Sequence, residues 1–211
     1  CRSAPRGAAT VGGAPHVSPR SELGAAKRPC SNPPIPRDQT AITVPADGAD
    51  VFRNFVLPLP LGDRRYVRAL EFRPGNARVV HHVRMLLDDT GDIRRMDDEE
   101  EGPGFGGMDV PGARFPDGHF LGWAPGKRPT REAYPWPLEP GNDLVVQMHL
   151  KPTGRQETVQ ASVGLYFTDT PPAANPIMLR LGSKVIDMAA GEEAYEVVDR
   201  FTLPVDVHLM I

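Results

Sequence analysis

Between Glu157 and Asp169 the chain reads ETVQASVGLYFTD, and its apolar and polar positions alternate strictly. On an extended backbone Val159, Ala161, Val163, Leu165 and Phe167 fall on one side, and Gln160, Ser162, Gly164 and Tyr166 on the other. That period belongs to a half-buried β-strand with one face on a core and one in water. Comparable short runs, each bounded by Gly, Pro or Asp, recur along the chain. AITVPA, VFRNFVLPL, RYVRALEFRP and ARVVHHVRMLLD precede residue 89, and DLVVQMHLKP, PIMLRLG, EAYEVVDRFTLP and VDVHLMI follow residue 142. The 24 prolines and 21 glycines are spread throughout, which breaks any long helix and supplies turns. The expected fold is all-β: an antiparallel jelly-roll β-sandwich of roughly eight to ten short strands, with no strongly predicted helix.

Two segments depart from this texture. Residues 1–40 are rich in Ala, Pro, Arg, Gly and Ser without hydrophobic periodicity, and read as a disordered or linker lead. The β domain then runs over 41–211. Inside it, Asp89 to Asn142 has no sustained period of either kind and reads as a long Gly/Pro-rich insertion loop. Trp123 and Trp136 are expected to anchor parts of that loop to the core. The acidic run Asp97 to Glu101 within it reads as a solvated loop tip, because it lacks the oxygen spacing of a calcium loop. RPGNA, Arg73 to Ala77, supplies a turn in which Gly75 or Asn76 can take positive φ.

Charge and hydropathy exclude several function classes. The formal net charge is -3, basic residues are scattered, and no nucleic-acid footprint is present. No apolar stretch approaches the roughly 20 residues that cross a bilayer, so no transmembrane segment is expected. Cys1 and Cys30 both lie in the lead and make no disulfide framework.

The histidines carry the chemistry. The chain has six, and two of them, His81 and His82, stand side by side in an apolar strand. Strand neighbours point to opposite faces, so both rings reach one ion only if the backbone is bulged or twisted, or the pair sits at a strand end. In DLVVQMHL, His149 lies with Val145 and Gln147 on the face opposite Leu144, Val146, Met148 and Leu150. It therefore turns away from the main core. Three neutral imidazoles suit copper, zinc, iron or nickel. With zinc they would make a hydrolytic arrangement with one open position, and with copper they support both oxidation states. Spacing alone leaves that choice open. His119, in FPDGHFLGW, fits a place behind a ligand or a cap on its own loop. His208 reads as a surface strand residue.

The stretches VRALEFRPGNARVVHHVRMLLD, GHFLGWAPG, EPGNDLVVQMHLKPTG and LPVDVHLMI resemble the first domain of the copper type II, ascorbate-dependent monooxygenases. This is the family of peptidylglycine α-hydroxylating monooxygenase and dopamine β-monooxygenase, and the likeness is to its bacterial relatives. The stretches fall between Thr40 and Ile211, and the pattern is a His-His doublet followed some 67 residues later by an apolar QxH strand. The resemblance implies a jelly-roll domain holding one copper through His81, His82 and His149. That copper would be an electron-transfer centre reduced by a small-molecule reductant, ascorbate. Oxygen activation and C–H hydroxylation would occur at a second copper, on a second domain of the same polypeptide, through a His-x-His pair and a methionine. No His-x-His pair occurs in these 211 residues, so the chain is expected to stop at the start of that second domain and to be inactive alone. Met148 belongs to the first-domain strand and is not assigned to the second site. The resemblance also implies an extracytoplasmic setting. The alternatives are a non-catalytic β-sandwich binding module that keeps the fold, and a three-histidine zinc site.

Overall fold

The computed structural model describes residues 41–183 and 185–208, without the side chains of residues 130, 131 and 133. The expectation of a disordered lead, together with His16, Cys1 and Cys30, lies outside the described residues. Ten strands and one short helix follow in order: β1 (Ile42–Val44), β2 (Val51–Pro58), β3 (Arg65–Arg73), β4 (Val80–Asp88), α1 (Asp92–Asp98), β5 (Phe105–Gly106), β6 (Gly122–Trp123), β7 (Thr130–Leu138), β8 (Asp143–Leu150), β9 (Glu157–Val159) and β10 (Ser162–Thr168). They form an antiparallel five-stranded sheet β5-β2-β8-β4-β6, a three-stranded sheet β10-β3-β7 and a pair β1-β9. The class is all-β and sandwich-like, as the alternation predicts.

One core lies between the sheets. Phe55 and Leu57 of β2, Val83, Met85 and Leu87 of β4, and Leu144, Val146, Met148 and Leu150 of β8 pack into it. Val67, Leu70 and Phe72 of β3 and Trp136 and Leu138 of β7 meet them there. Each fully buried aliphatic chain contributes roughly 1.5–3 kcal/mol relative to exposure. A smaller cluster sits on the other face of the five-stranded sheet, where Val145 and Leu86 meet Ile93 of α1, Phe105 and Val110. The faces of β8 are therefore assigned as its sequence alternates, although both are largely covered.

Three expectations are corrected. ETVQASVGLYFTD is two strands: β9 pairs with β1, whereas β10 pairs with β3. The break at Gln160 accommodates the Arg73–Ala77 turn, where Gly75 has φ 68° and a Cβ would lie 2.1 Å from the Gln160 carbonyl oxygen. Only glycine permits so close a backbone approach. Second, the Asp89–Asn142 stretch is not a structureless loop, since it contains α1, β5, β6 and the nine-residue β7. Pro135 and Pro137 obscured β7; they are tolerated because β7 is an edge of its sheet. The acidic run there is partly structural: Asp97 and Asp98 end α1, and Glu100 accepts bonds from Arg53 and from the Gly106 amide, 2.9 Å away. Third, the strands expected in PIMLRLG, EAYEVVDRFTLP and VDVHLMI do not form among the described residues. A strand needs a hydrogen-bonded neighbour. Here no neighbour pairs, and Ile177, Val185 and Val205 are 74%, 79% and 67% exposed.

The helix is set by Asp88, a buried carboxylate at the end of β4. Its Oδ1 accepts the Thr90 amide at 2.9 Å and the Thr90 hydroxyl at 2.7 Å, and its Oδ2 accepts the Ile93 amide at 3.0 Å. Burial opposes ionisation, but these bonds and one from Gly91 outweigh it and hold the carboxyl below the ordinary 3.8. In Asp88→Asn an NH2 group faces one of these donors, which should cost about 1–3 kcal/mol at neutral pH. Because the folded pKa is the lower one, this stabilisation is full above the ordinary value and is lost as pH falls through the folded value. Urea unfolding of both chains across acidic pH should show the gap between them closing there; a gap independent of pH would count against this account.

Candidate metal centre

The outer face of the five-stranded sheet is laid out in rows by strand register. β8 lies between β2 and β4, so each outward residue of β8 has a neighbour on both sides. The first row is Phe52, His149 and His82, and the second is Asn54, Gln147 and Arg84. The third is Val56, Val145 and Leu86. Row one is the site.

His81 joins that row through a backbone irregularity. The pairing of β4 with β8 passes from Val80↔Leu150 to His82↔His149, a shift of register that leaves His81 as the extra residue. Such a bulge turns the strand, and here it brings adjacent side chains to one side. It sits at the first residues of β4, where pairing is easiest to disturb. The sequence posed the doublet as a problem of opposite faces, and the bulge resolves it.

The three rings meet at their Nδ1 atoms. His81 Nδ1 is 3.1 Å from His82 Nδ1 and 3.2 Å from His149 Nδ1, and the His149–His82 separation is 3.2 Å. The ring planes are steeply inclined, at 62° to 79° to one another, so the imidazoles converge edge-on without stacking. Two imidazole nitrogens bound to one ion at about 2.0 Å with tetrahedral angles lie about 3.3 Å apart, close to these spacings. Neutral rings cannot all satisfy one another at such a triangle, because each carries a proton on only one nitrogen. His149 Nε2 lies 2.6 Å from Asp50 Oδ2, and a carboxylate there only accepts. The proton therefore belongs on Nε2, and His149 Nδ1 presents a lone pair to the triangle. Phe52 stacks on the same ring, with centroids 4.3 Å apart and planes 11° from parallel. His149 is the best covered of the three, at 11% side-chain exposure, while His81 is exposed.

Row two braces the site. Arg84 donates through Nε to Gln147 Oε1 at 2.9 Å and through a second nitrogen at 2.5 Å. Gln147 Nε2 donates to Asn54 Oδ1 and to the Met108 carbonyl, each at 2.9 Å. Asn54 donates to the carbonyls of Phe105 and Gly107. Every amide group in this row has a partner, as a buried polar row requires. Arg84 bonds only neutral groups here, and its charge joins burial in acting on His82. Burial first, then His149, His81 and Arg84, holds the His82 pKa below the ordinary 6.5.

The remaining candidates fall elsewhere. Met148 points into the main core at 2% exposure and is no part of the cluster. His119 is buried, and its Nδ1 and Nε2 lie 2.6 and 2.7 Å from the carbonyl oxygens of Asp117 and Tyr134, which ties its loop to β7. That is the loop role. Trp136 and Trp123 pack in the core as expected. His208 is exposed and lies outside any strand. The residues that sequence reasoning missed are Asp50 and Phe52. Their signal was spatial: Phe52 pairs with His149, and Asp50, just before β2, reaches His149 Nε2.

Among the described residues no helix is long and apolar enough to cross a membrane. Comparison with known proteins finds no matching family model, no similar characterised protein and no similar solved structure. Fold and site define a sandwich-like all-β protein whose His81, His82 and His149 are placed to hold one metal ion.

The shift at His82 gives a check on this packing. With a folded pKa below the ordinary value, the neutral ring contributes stability above about pH 6.5, and that contribution is lost as pH falls toward the folded value. Ring-proton NMR of the metal-free chain should show His82 titrating below 6.5; a midpoint at or above it would contradict the burial described.

Proposed function

We propose that the chain is the electron-transfer copper domain of a copper- and ascorbate-dependent monooxygenase. The observation that carries this reading is the triangle of three Nδ1 atoms, 3.1–3.2 Å apart, built from a bulged His-His doublet and a histidine on the adjacent strand. All three donors are imidazoles, which serve both copper(I) and copper(II). Asp50, the carboxylate that touches the cluster, is engaged by His149, so it is poorly placed to act as the general base that a zinc hydrolase needs. These points favour copper over zinc.

Bound copper would supply one-electron chemistry, accepting an electron from a small reductant such as ascorbate. The protein's part would be to turn the His149 Nδ1 lone pair toward His82, whose ring burial favours as neutral, and to leave the His81 side open to solvent. Hydroxylation belongs to a second copper domain of the same polypeptide, and the chain by itself performs none. On this reading the protein works outside the cytoplasm.

Copper titration of the chain should give one equivalent bound, with a type II copper(II) spectrum showing nitrogen coupling that ascorbate abolishes. Saturating metal at ~1,000 times its dissociation constant should stabilise the fold by about 4 kcal/mol. The triple variant His81→Ala, His82→Ala, His149→Ala should lose both effects. Full copper stoichiometry in that variant would overturn the proposal. Tight zinc binding with copper excluded would replace it with the zinc site, and no metal binding at all with the binding module.

A further inference from the structure

We propose that Asp50 is the positioning residue of this centre, holding His149 as the one preset ligand onto which the doublet closes. The inference rests on the metal reading of the cluster. Its observation is separate: a carboxylate oxygen 2.6 Å from the ring nitrogen that faces away from the triangle. β2 and β4 flank β8, so Asp50 approaches His149 from the side opposite His82. A line runs across three strands, from carboxylate to imidazole to the point where the Nδ1 atoms meet.

The three ligands are held unequally. Asp50 restrains the His149 ring within its plane, and Phe52, stacked at 4.3 Å, restrains the plane itself. Together they leave the ring one orientation. Lys151 approaches the same Asp50 oxygen only to 4.0 Å, beyond hydrogen-bond range, so His149 is its close partner. Among the described residues the Nε2 atoms of His81 and His82 have no hydrogen-bond partner. Their rings are set by the bulge and by each other. A carboxylate behind a ligating imidazole orients the ring and raises its electron donation, and its loss ordinarily lowers metal affinity 10–100-fold. His149 is accordingly the anchor, and His81, the most exposed, the ligand that closes last.

The test uses the full chain with Asp50→Ala and Asp50→Asn. In the metal-free wild type, nitrogen-edited NMR should show a slowly exchanging, downfield Nε2 proton on His149. Asp50→Ala should lose it, and Asp50→Asn should keep it, because the amide oxygen still accepts. Copper(I) affinity, measured by competition with a chromogenic chelator, should fall roughly 10–100-fold in Asp50→Ala and less in Asp50→Asn. Thermal melting of the metal-free chains should differ little, since Asp50 is at the surface. An affinity within twofold of wild type in Asp50→Ala, or an unchanged Nε2 proton there, would overturn the inference. Loss of that proton in a chain whose wild type binds no metal would overturn the metal reading and leave the positioning of His149 standing.

Discussion

The register between β4 and β8 is the constraint on which the rest depends. With His82 opposite His149, one extra residue in β4 brings His81 to the same side, and three imidazole edges meet. A slip by one residue would send His149 toward Val83 and the core, and Met148 outward. That register is held from both faces. On the inner face Met85, Leu87, Leu144, Val146 and Met148 interlock in the main core. On the outer face Val145 and Leu86 pack under Ile93, and the Arg84–Gln147–Asn54 row closes its hydrogen bonds only in this alignment.

The rows beneath the site divide the labour. Apolar packing in the third row and main core supplies the free energy, because it removes the most surface from water. The polar row supplies specificity: its groups are costly unless every partner is present, so only one alignment is acceptable. It also fastens the segment Phe105–Met108 across the sheet through carbonyls of that segment. Asp88 does the same at the far end of β4, where its carboxylate anchors α1 and so seats Ile93 over Val145. The histidine row is thus the open end of an otherwise covered face.

Much of this was legible in the alternation of side chains. β1, β2, β3, β4 and β8 lie where two-residue periodicity placed them, and His149 was assigned to the outward face by its neighbours Val145 and Gln147. β7 was not legible, because Pro135 and Pro137 contradict a central strand and only its edge position makes them acceptable. The segment after Thr168 failed in the opposite direction. Its alternation is real, yet alternation describes one strand and says nothing of whether a neighbour stands beside it. β9 and β10 illustrate the same gap, since one continuous pattern serves two sheets.

By itself the sequence determined the class of fold, the faces of β8 and β10 and the identity of three candidate ligands. All of these follow from local geometry, in which the backbone alternates side chains regardless of what lies opposite. Tertiary structure alone decided that the doublet is bulged, that its rings meet His149, and that Asp50 stands behind that ring. These are relations between segments as many as 99 residues apart. They are fixed by the packing of two sheet faces, and no local period encodes them.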